Sequence, residues 1–280
     1  MCTTCGCSDG AQARVTDPAR QDTAGHDRHA HDHAHDGHGH SRHAHTHEGG
    51  DDVHSDPARR ILVLEQAVLA KNDLLAACNR AWFDERGILA VNLMSSPGSG
   101  KTTLLERTIR DLSGELPLSV VEGDQETLLD AERIRATGCR VVQVNTGAGC
   151  HLDADMLGRG LGVLEPPEHS IVMIENVGNL VCPAMFDLGE RAKVVIISVT
   201  EGADKPLKYP QMFRAGELML VNKIDLLPYV TFDVTQCASY ARQVNPGLEI
   251  LEVSATRGDG LDRWYDWLRH KARPQPVSSA

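Results

Sequence analysis

No stretch of the 280-residue sequence approaches the roughly 20 consecutive apolar residues that a membrane-spanning helix requires. Its first residues, MCTTCGCSDG, have neither the basic segment nor the apolar core of a secretory signal, so a cytosolic setting is the expectation. Basic charge is scarce too: 28 Lys and Arg stand against 39 Asp and Glu, a net charge of −11. Neither nucleic acid nor an anionic membrane is an expected partner for such a chain. Apolar residues are few in residues 1–55, too few to offset chain entropy, and disorder is expected there. That segment carries nine Asp and Glu against four Arg, net −5, which leaves −6 for residues 56–280. In a reducing compartment the eight cysteines read as metal ligands or buried thiols rather than disulfides.

What is present divides into four segments: a metal-binding tail (1–55, Cys motif 2–7, His-rich 26–54), a helical lead-in (56–87), a nucleotide-binding body (88–273) and a short tail (274–280). Asp56-Pro57 offers an N-cap and a first-turn proline, and apolar residues from Ile61 to Trp82 keep helical spacing. Lys71-Asn72-Asp73 interrupts that spacing and predicts a kink or a second cap, and Gly87 ends the segment. Seven Val/Ile-rich runs follow, near 88–94, 117–122, 140–144, 170–175, 193–199, 217–222 and 248–253. Between and after them lie amphipathic stretches near 102–113, 126–136, 153–163, 206–215, 233–244 and 260–272. Continuous apolar runs separated by helices predict an α/β fold, a mostly parallel sheet flanked by helices on both faces.

SSPGSGKTT, residues 95–103, directly follows the first predicted strand of the body. It fits the phosphate-loop pattern G-x4-G-K-[ST], except that Ser95 replaces the first glycine. Gly98 and Gly100 give the backbone freedom for N–H groups, with Ser99 between them, to converge on phosphate. Lys101 reaches the β/γ-phosphates, the Thr102 hydroxyl serves Mg²⁺, and Thr103 completes the nucleotide-binding run. NKID, residues 222–225, comes about 120 residues later, and Ser254-Ala255 about 30 beyond that. The Asp225 carboxylate can accept from guanine N1–H and its 2-amino group, a pair adenine lacks, so GTP is the expected nucleotide. Asn222 would brace the loop, the Lys223 stem cover a face of the base, and the Ala255 N–H meet guanine O6. EGDQE, 122–126, and ENVG, 175–178, end two strands where a metal–phosphate complex would sit. Asp124 is assigned to Mg²⁺ or its water shell, and Glu175 with Gly178 to sensing the γ-phosphate; the plainer reading of Glu175 is a strand-end carboxylate capping a helix. With Lys101 these form the catalytic set, and without a Ras-type catalytic glutamine slow hydrolysis is expected.

Three metal constellations stand beside the nucleotide motifs. Cys2, Cys5 and Cys7 in CTTCGC bring three sulfurs within reach of one ion, with the terminal amine or a backbone nitrogen as a fourth donor. Such a set takes zinc, Cu(I) or nickel, and sulfur with nitrogen in a square plane favours Ni²⁺. Eleven of the fourteen histidines lie between His26 and His54, interleaved with Asp, Ala, Gly and Ser rather than contiguous as in an affinity tag. They read as a buffer for Ni²⁺ or Zn²⁺ without fixed stoichiometry. Cys150-His151 and Cys182 form the third set, three ligands and hence open or completed across a two-fold axis by a second subunit. The plainer alternative is a core cysteine and a surface histidine, which is how Cys78, Cys139 and Cys237 are read.

CTTCGC, the His-rich tract, SSPGSGKTT, EGDQETLLDAERI, GAGCHLDADM, ENVGNLVCP, ADKPLKYP, NKIDLLP and SATRGDG occur here in the order of one family's blocks. Over essentially its whole length the sequence resembles the hydrogenase nickel-incorporation GTPases of the HypB family. The resemblance implies a P-loop NTPase of the SIMIBI class that dimerises with nucleotide or metal and helps deliver Ni²⁺ to the large-subunit precursor of [NiFe] hydrogenase. It implies a small zinc-containing nickel chaperone of the HypA type as partner. It assigns nickel to Cys2, Cys5 and Cys7, and nickel or zinc to Cys150, His151 and Cys182 between subunits. It also places Lys205 and Lys208 near the nucleotide or the interface. A urease-type accessory GTPase is the nearest alternative, but that resemblance calls for Cys-Pro-His, whereas Cys182-Pro183 is followed by Ala184. A nickel store with a structural nucleotide is the alternative of another class.

Overall fold

Every Val/Ile run of the body becomes a strand of one sheet. The computed structural model describes residues 14–17, 57–124, 129–147 and 149–273; Cys2, Cys5, Cys7, the His tract 26–54 and the tail 274–280 lie outside the described residues. The strands are β1 (Arg14–Thr16), β2 (Leu89–Ser95), β3 (Leu118–Asp124), β4 (Arg140–Asn145), β5 (Ile171–Glu175), β6 (Ala192–Ser198), β7 (Leu218–Asn222) and β8 (Glu249–Glu252). Their spatial order is β1-β4-β3-β5-β2-β6-β7-β8. All pairs are parallel except β1 on β4. The helices are α1 (Pro57–Glu85), α2 (Lys101–Leu112), α3 (Leu129–Arg135), α4 (Ala154–Leu164), α5 (Cys182–Met185), α6 (Lys205–Lys208), α7 (Pro210–Ala215), α8 (Val234–Val244) and α9 (Leu261–Ala272), with a 3₁₀ turn at Ile224–Tyr229.

Central β2 shows why its sequence is apolar throughout. Leu89, Val91 and Leu93 pack into a cluster with Leu104 of α2 and Trp264 of α9. Ile88 and Ala90 face the other way, onto Phe83 of α1 and Leu157 of α4. Both faces are covered, so alternation is lost. The chain leaves β2 through α2 toward β3 on one side, while β6 flanks β2 on the other. Parallel sheets bind ligands at such a switch point, at the carboxyl ends of the strands. No helix among the described residues is long and apolar enough to cross a membrane.

Three sequence expectations change. The tail 1–55 holds a strand, β1, whose Val15 packs against the α1/α4 cluster. Residues 57–85 form one uninterrupted helix, without a second cap at 71–73. Asn72 is buried there: its Nδ2 donates to Asp187 O at 2.7 Å and its Oδ1 accepts from Ala154 N at 2.9 Å. The polar residue thus serves tertiary contacts rather than a helix end, as does Asn79, which donates to Ala154 O and Leu188 O. The helix expected at 206–215 divides into α6 and α7 at Tyr209, because Pro210 lacks an N–H and disfavours helical backbone before it.

Candidate functional site

The phosphate loop joins β2 to α2, and Gly98 and Gly100 both take positive φ, 73° and 96°. A β-carbon on Gly100 would come within 2.6 Å of Asn222 Nδ2, so the close approach of two loops also requires glycine there. Lys101 is buried and donates from Nζ to Ser95 Oγ at 2.8 Å. The residue that departs from the motif is therefore the one that holds its lysine. Burial lowers the Lys101 pKa, against the pull of Glu175, Asp130, Glu122 and Glu201. Thr102 Oγ1 donates to Glu175 Oε1 at 2.8 Å, and Thr103 Oγ1 accepts from Arg133 at 3.3 Å. Ser96 Oγ bonds Glu201, which also lies 3.3 Å from Lys205 Nζ. Lys208 stands apart, paired with Asp204 at 2.8 Å on the surface.

Behind this loop, Glu122 of β3 and Glu175 of β5 stand side by side in register, both buried. Among the described residues, the Oε2 atoms of both and the Ser99 hydroxyl find no hydrogen-bond partner. Burial, then the facing Glu175 and Asp124, pushes Glu122 up to about 9; burial pushes Glu175 up to about 7, with Lys101 and Thr102 opposing. Buried carboxylate oxygens without partners are costly unless a cation meets them. Two carboxylates and a threonine hydroxyl make an all-oxygen donor set, which suits hard Mg²⁺. Asp124 ends the same strand two residues on, hence on the same face as Glu122, and is half-buried.

The base-reading loops lie across the phosphate loop and are fully tied. Asn222 donates to Ser99 O at 2.9 Å, and Lys223, at φ 62°, donates to Gly98 O at 2.6 Å. Ser254 Oγ donates to Asp225 Oδ1 at 2.6 Å. The Ala255 N–H, expected to meet guanine O6, here donates to Asn222 Oδ1 at 3.1 Å and joins the two loops.

Cys150, His151 and Cys182 converge: their ligand atoms all lie within 4.8 Å of one another. Cys150 Sγ is 3.0 Å from Cys182 Sγ and 3.6 Å from His151 Nδ1, and both cysteines are thiols. Asp153 caps α4 as its sequence suggests, accepting from Met156 N at 2.7 Å, and so fixes the residues just after His151. The His151 ring lies 4.0 Å from that of Phe186, and burial lowers its pKa, which keeps the imidazole neutral and able to ligate.

Two connections join this cluster to the nucleotide end. Asn176, next to Glu175, accepts from Leu152 N at 3.1 Å, beside His151, and donates to Asn92 of β2 at 3.3 Å. Asp124 O accepts from Thr146 N at 2.9 Å, and Thr146 O accepts from Gly149 N at 2.9 Å, beside Cys150. Gly178 is pressed on the phosphate loop: a β-carbon there would lie 3.0 Å from Pro97 N and Cα. The ligand atoms of Cys150, His151 and Cys182 converge, Lys101 meets Ser95 and Thr102 meets Glu175 at the phosphate loop, and Asn222 and Lys223 brace that loop from the β7 side. Sequence reading overlooked Glu122, Asn176, Glu201 and the role of Ser95. The available signal for Glu122 was a lone acid closing the apolar run PLSVVE; nothing local marks Asn176.

With this geometry in place, the comparisons are specific. The CobW/HypB/UreG nucleotide-binding domain matches residues 89–252. The chain is similar to the hydrogenase maturation factor HypB of Azotobacter vinelandii, 55% identical over 80% of this chain and 77% of that one. It is similar to HypB of Escherichia coli K12, 59% identical over 75% and 72% of the two chains. Among solved structures, HypB from Helicobacter pylori in complex with nickel superposes with a TM-score of 0.69 and 37% identity, covering 75% of this chain and all of that one.

Proposed function

The chain belongs to the CobW/HypB/UreG nucleotide-binding family, within it to HypB, and on that premise we propose that it is a GTP-hydrolysing nickel metallochaperone for [NiFe] hydrogenase maturation. The observation that carries the reading is the single loop from Glu175 to Cys182. One end touches the phosphate loop through Thr102 and Pro97, and the other end is a ligand of the cysteine–histidine cluster.

In this reading the backbone of residues 98–103 cradles the phosphates and Lys101 leaves Ser95 to meet the β/γ-oxygens. Thr102 and Asp124 would hold Mg²⁺ with the buried Glu122 and Glu175 beside it, and the ion would neutralise charge developing on the phosphates. Asp124 and Glu175 also orient the attacking water, and Asp225 selects guanine. Gain and loss of the γ-phosphate would shift the segment from Glu175 to Gly178 beside Pro97, and the displacement would reach Cys182 along the chain and His151 through Asn176. Nickel is the cargo; the same donors also accept zinc. Three ligands are one short of tetrahedral closure, so a nucleotide- or metal-dependent homodimer completes the site. The hydrogenase large-subunit precursor receives the ion, with a HypA-type chaperone as the exchange partner. The domain scheme follows: residues 1–55 collect metal, 56–87 link, 88–273 switch.

Nickel titration of the purified chain, with and without a non-hydrolysable GTP analogue and Mg²⁺, tests this through sulfur-to-nickel absorption. The analogue is expected to change nickel affinity at the cluster at least tenfold. Identical isotherms would remove the coupling and leave a nickel store.

A further inference from the structure

One polar residue interrupts the apolar run of β2. Asn92 follows Ala90 by two positions, so its side chain shares the face that α1 and α4 cover. Its Oδ1 accepts from Asn176 Nδ2 at 3.3 Å, and its Nδ2 donates to Glu190 Oε1 at 3.0 Å. All three side chains are buried. The bonds continue outward at each end. Asn176 Oδ1 accepts from Leu152 N at 3.1 Å, next to His151. Glu190 Oε2 accepts from Leu188 N at 2.7 Å, two residues beyond Phe186, whose ring lies 4.0 Å from that of His151. A single buried amide on the strand that leads into the phosphate loop thus joins both ends of the segment 176–190, which carries Cys182.

The chemistry at position 92 is specified from both sides. Asn176 offers a donor and Glu190 an acceptor, and an amide answers both. A carboxylate there would face the Glu190 carboxylate, and an apolar side chain would leave two buried polar groups without partners. Lys193 Nζ, 3.5 Å from Glu190 Oε1, balances the Glu190 charge and also donates to Phe186 O at 3.3 Å. The two ends of the segment are held unequally. At the Glu190 end, Gly189 is pressed on α1, where a β-carbon would lie 2.4 Å from Ala76 O, and Arg191 N donates to Ala90 O at 3.0 Å. At the Asn176 end the ties to β2 are longer, 3.3 Å to Asn92 and 3.2 Å from Asn176 N to Leu93 O. The firm end is away from the phosphate loop and the looser end is beside it.

We propose that Asn92 and Glu190 are positioning residues of the metal cluster: together they close the 176–190 segment on β2 and hold Cys182 and Phe186 against Cys150 and His151, which sets how tightly the cluster grips nickel. The proposal rests on the reading of Cys150, His151 and Cys182 as a nickel site. Neither Asn92 nor Glu190 touches the ion; they act through Asn176 and Leu152 on one side and Leu188 on the other. Donors that converge before the ion arrives lose less freedom on binding than donors on independent segments. The closure also gives the nucleotide signal a path. When phosphate shifts Asn176, the segment turns about its firm end at Glu190, and Cys182 moves against His151 rather than drifting with a loose chain.

The test exchanges the two groups. In N92D/E190Q the new amide at 190 donates to the new carboxylate at 92 and keeps an oxygen for Leu188 N, while the carboxylate accepts from Asn176. Every bond survives with donor and acceptor traded. The full chain carrying C2S/C5S/C7S is titrated with Ni²⁺, and the sulfur-to-nickel absorption that C150S/C182S removes is followed. Binding of a non-hydrolysable GTP analogue with Mg²⁺ is measured on the same preparations. N92D sets two carboxylates face to face, and E190Q leaves either Asn92 Nδ2 or Leu188 N without an acceptor. Each is expected to lower nickel affinity about tenfold, the lower end of what groups behind metal ligands contribute. N92D/E190Q should return to within about threefold of the parent, because the two losses are one interaction. Analogue affinity should stay at the parent's value throughout, which a general loosening of the fold would not allow. Should N92D fail to fold, E190Q and N92D/E190Q carry the comparison. Single variants that hold nickel as the parent does, or an exchange variant no tighter than E190Q, would overturn the closure while the cluster stands. If the parent shows no sulfur-to-nickel band, the nickel reading fails and takes the closure with it.

Discussion

The two halves of the nucleotide end are built differently. On the β7/β8 side, which reads the base, Asn222, Lys223, Ser254 and the Ala255 amide are bonded to one another or to the phosphate loop. On the β3/β5 side, facing the phosphate loop, Glu122 and Glu175 are buried with an oxygen each left without a partner among the described residues, as is the Ser99 hydroxyl. The first half is tied before ligand arrives, which favours selectivity; the second holds buried acids that keep protons until a cation takes their place. A change of that kind can be transmitted, since the two states differ at Glu175, which leads directly to Cys182.

The sharpest way to break the comparison is at the base. Asp225→Asn removes the acceptor for guanine N1–H and the 2-amino group while Ser254 and the loop ties remain. Competition binding is expected to show GTP affinity falling at least a hundredfold, with xanthosine triphosphate becoming the better ligand, because a polar site rejects a mismatched near-isostere strongly. Retained GTP preference would place base reading elsewhere than Asp225.

The unfinished half predicts a pH effect. Glu122 and Glu175 titrate near 9 and 7 in the folded chain, above ordinary carboxylates. The folded state therefore holds more protons than the unfolded one above about pH 4.5, and stability from these groups is full below that pH and lost as pH rises toward 7 and 9. Glu122→Gln removes one such proton from the balance. Without nucleotide, its unfolding free energy should fall less steeply between pH 5 and 8, by up to about 1.4 kcal/mol per pH unit. Parallel denaturant curves for parent and variant across that range would show that the pair is not strained.

The same contrast marks what could be read from sequence. Strands, helices and the assembled motifs were legible because burial on both faces and glycine-rich turns leave local signatures: the seven body strands fall within a residue or two of their Val/Ile runs. Pro210 shows a local signal that was available and not weighed, since it divides a helix expected to be continuous. Asn72 misled for the opposite reason; its polarity reads as a helix end, whereas its partners, Ala154 and Asp187, are 82 and 115 residues away. β1 was hidden because three residues with one inward Val15 carry no periodicity, and only the open edge of β4 gives them a place. Asn176 and the bond from the Ala255 amide to Asn222 are likewise products of tertiary proximity.

Ser95 gives the smallest and most discriminating prediction. It stands where the motif has glycine, and its hydroxyl accepts from Lys101 while donating to Ser96 O at 2.7 Å. Glycine would restore the motif yet leave a buried ammonium one acceptor short. A hydrogen bond to a charged group contributes about 1.5–3 kcal/mol, part of which solvent entering the vacated space recovers. Ser95→Gly should therefore lower the stability of the nucleotide-free chain by about 1 kcal/mol. GTP affinity should move the other way, rising severalfold, because Lys101 no longer has to leave a partner to meet phosphate. Calorimetric unfolding and nucleotide titration of one preparation separate the two effects. If stability and affinity fall together, Ser95 helps present Lys101 to phosphate rather than parking it, and the β3/β5 half is already organised before the nucleotide binds.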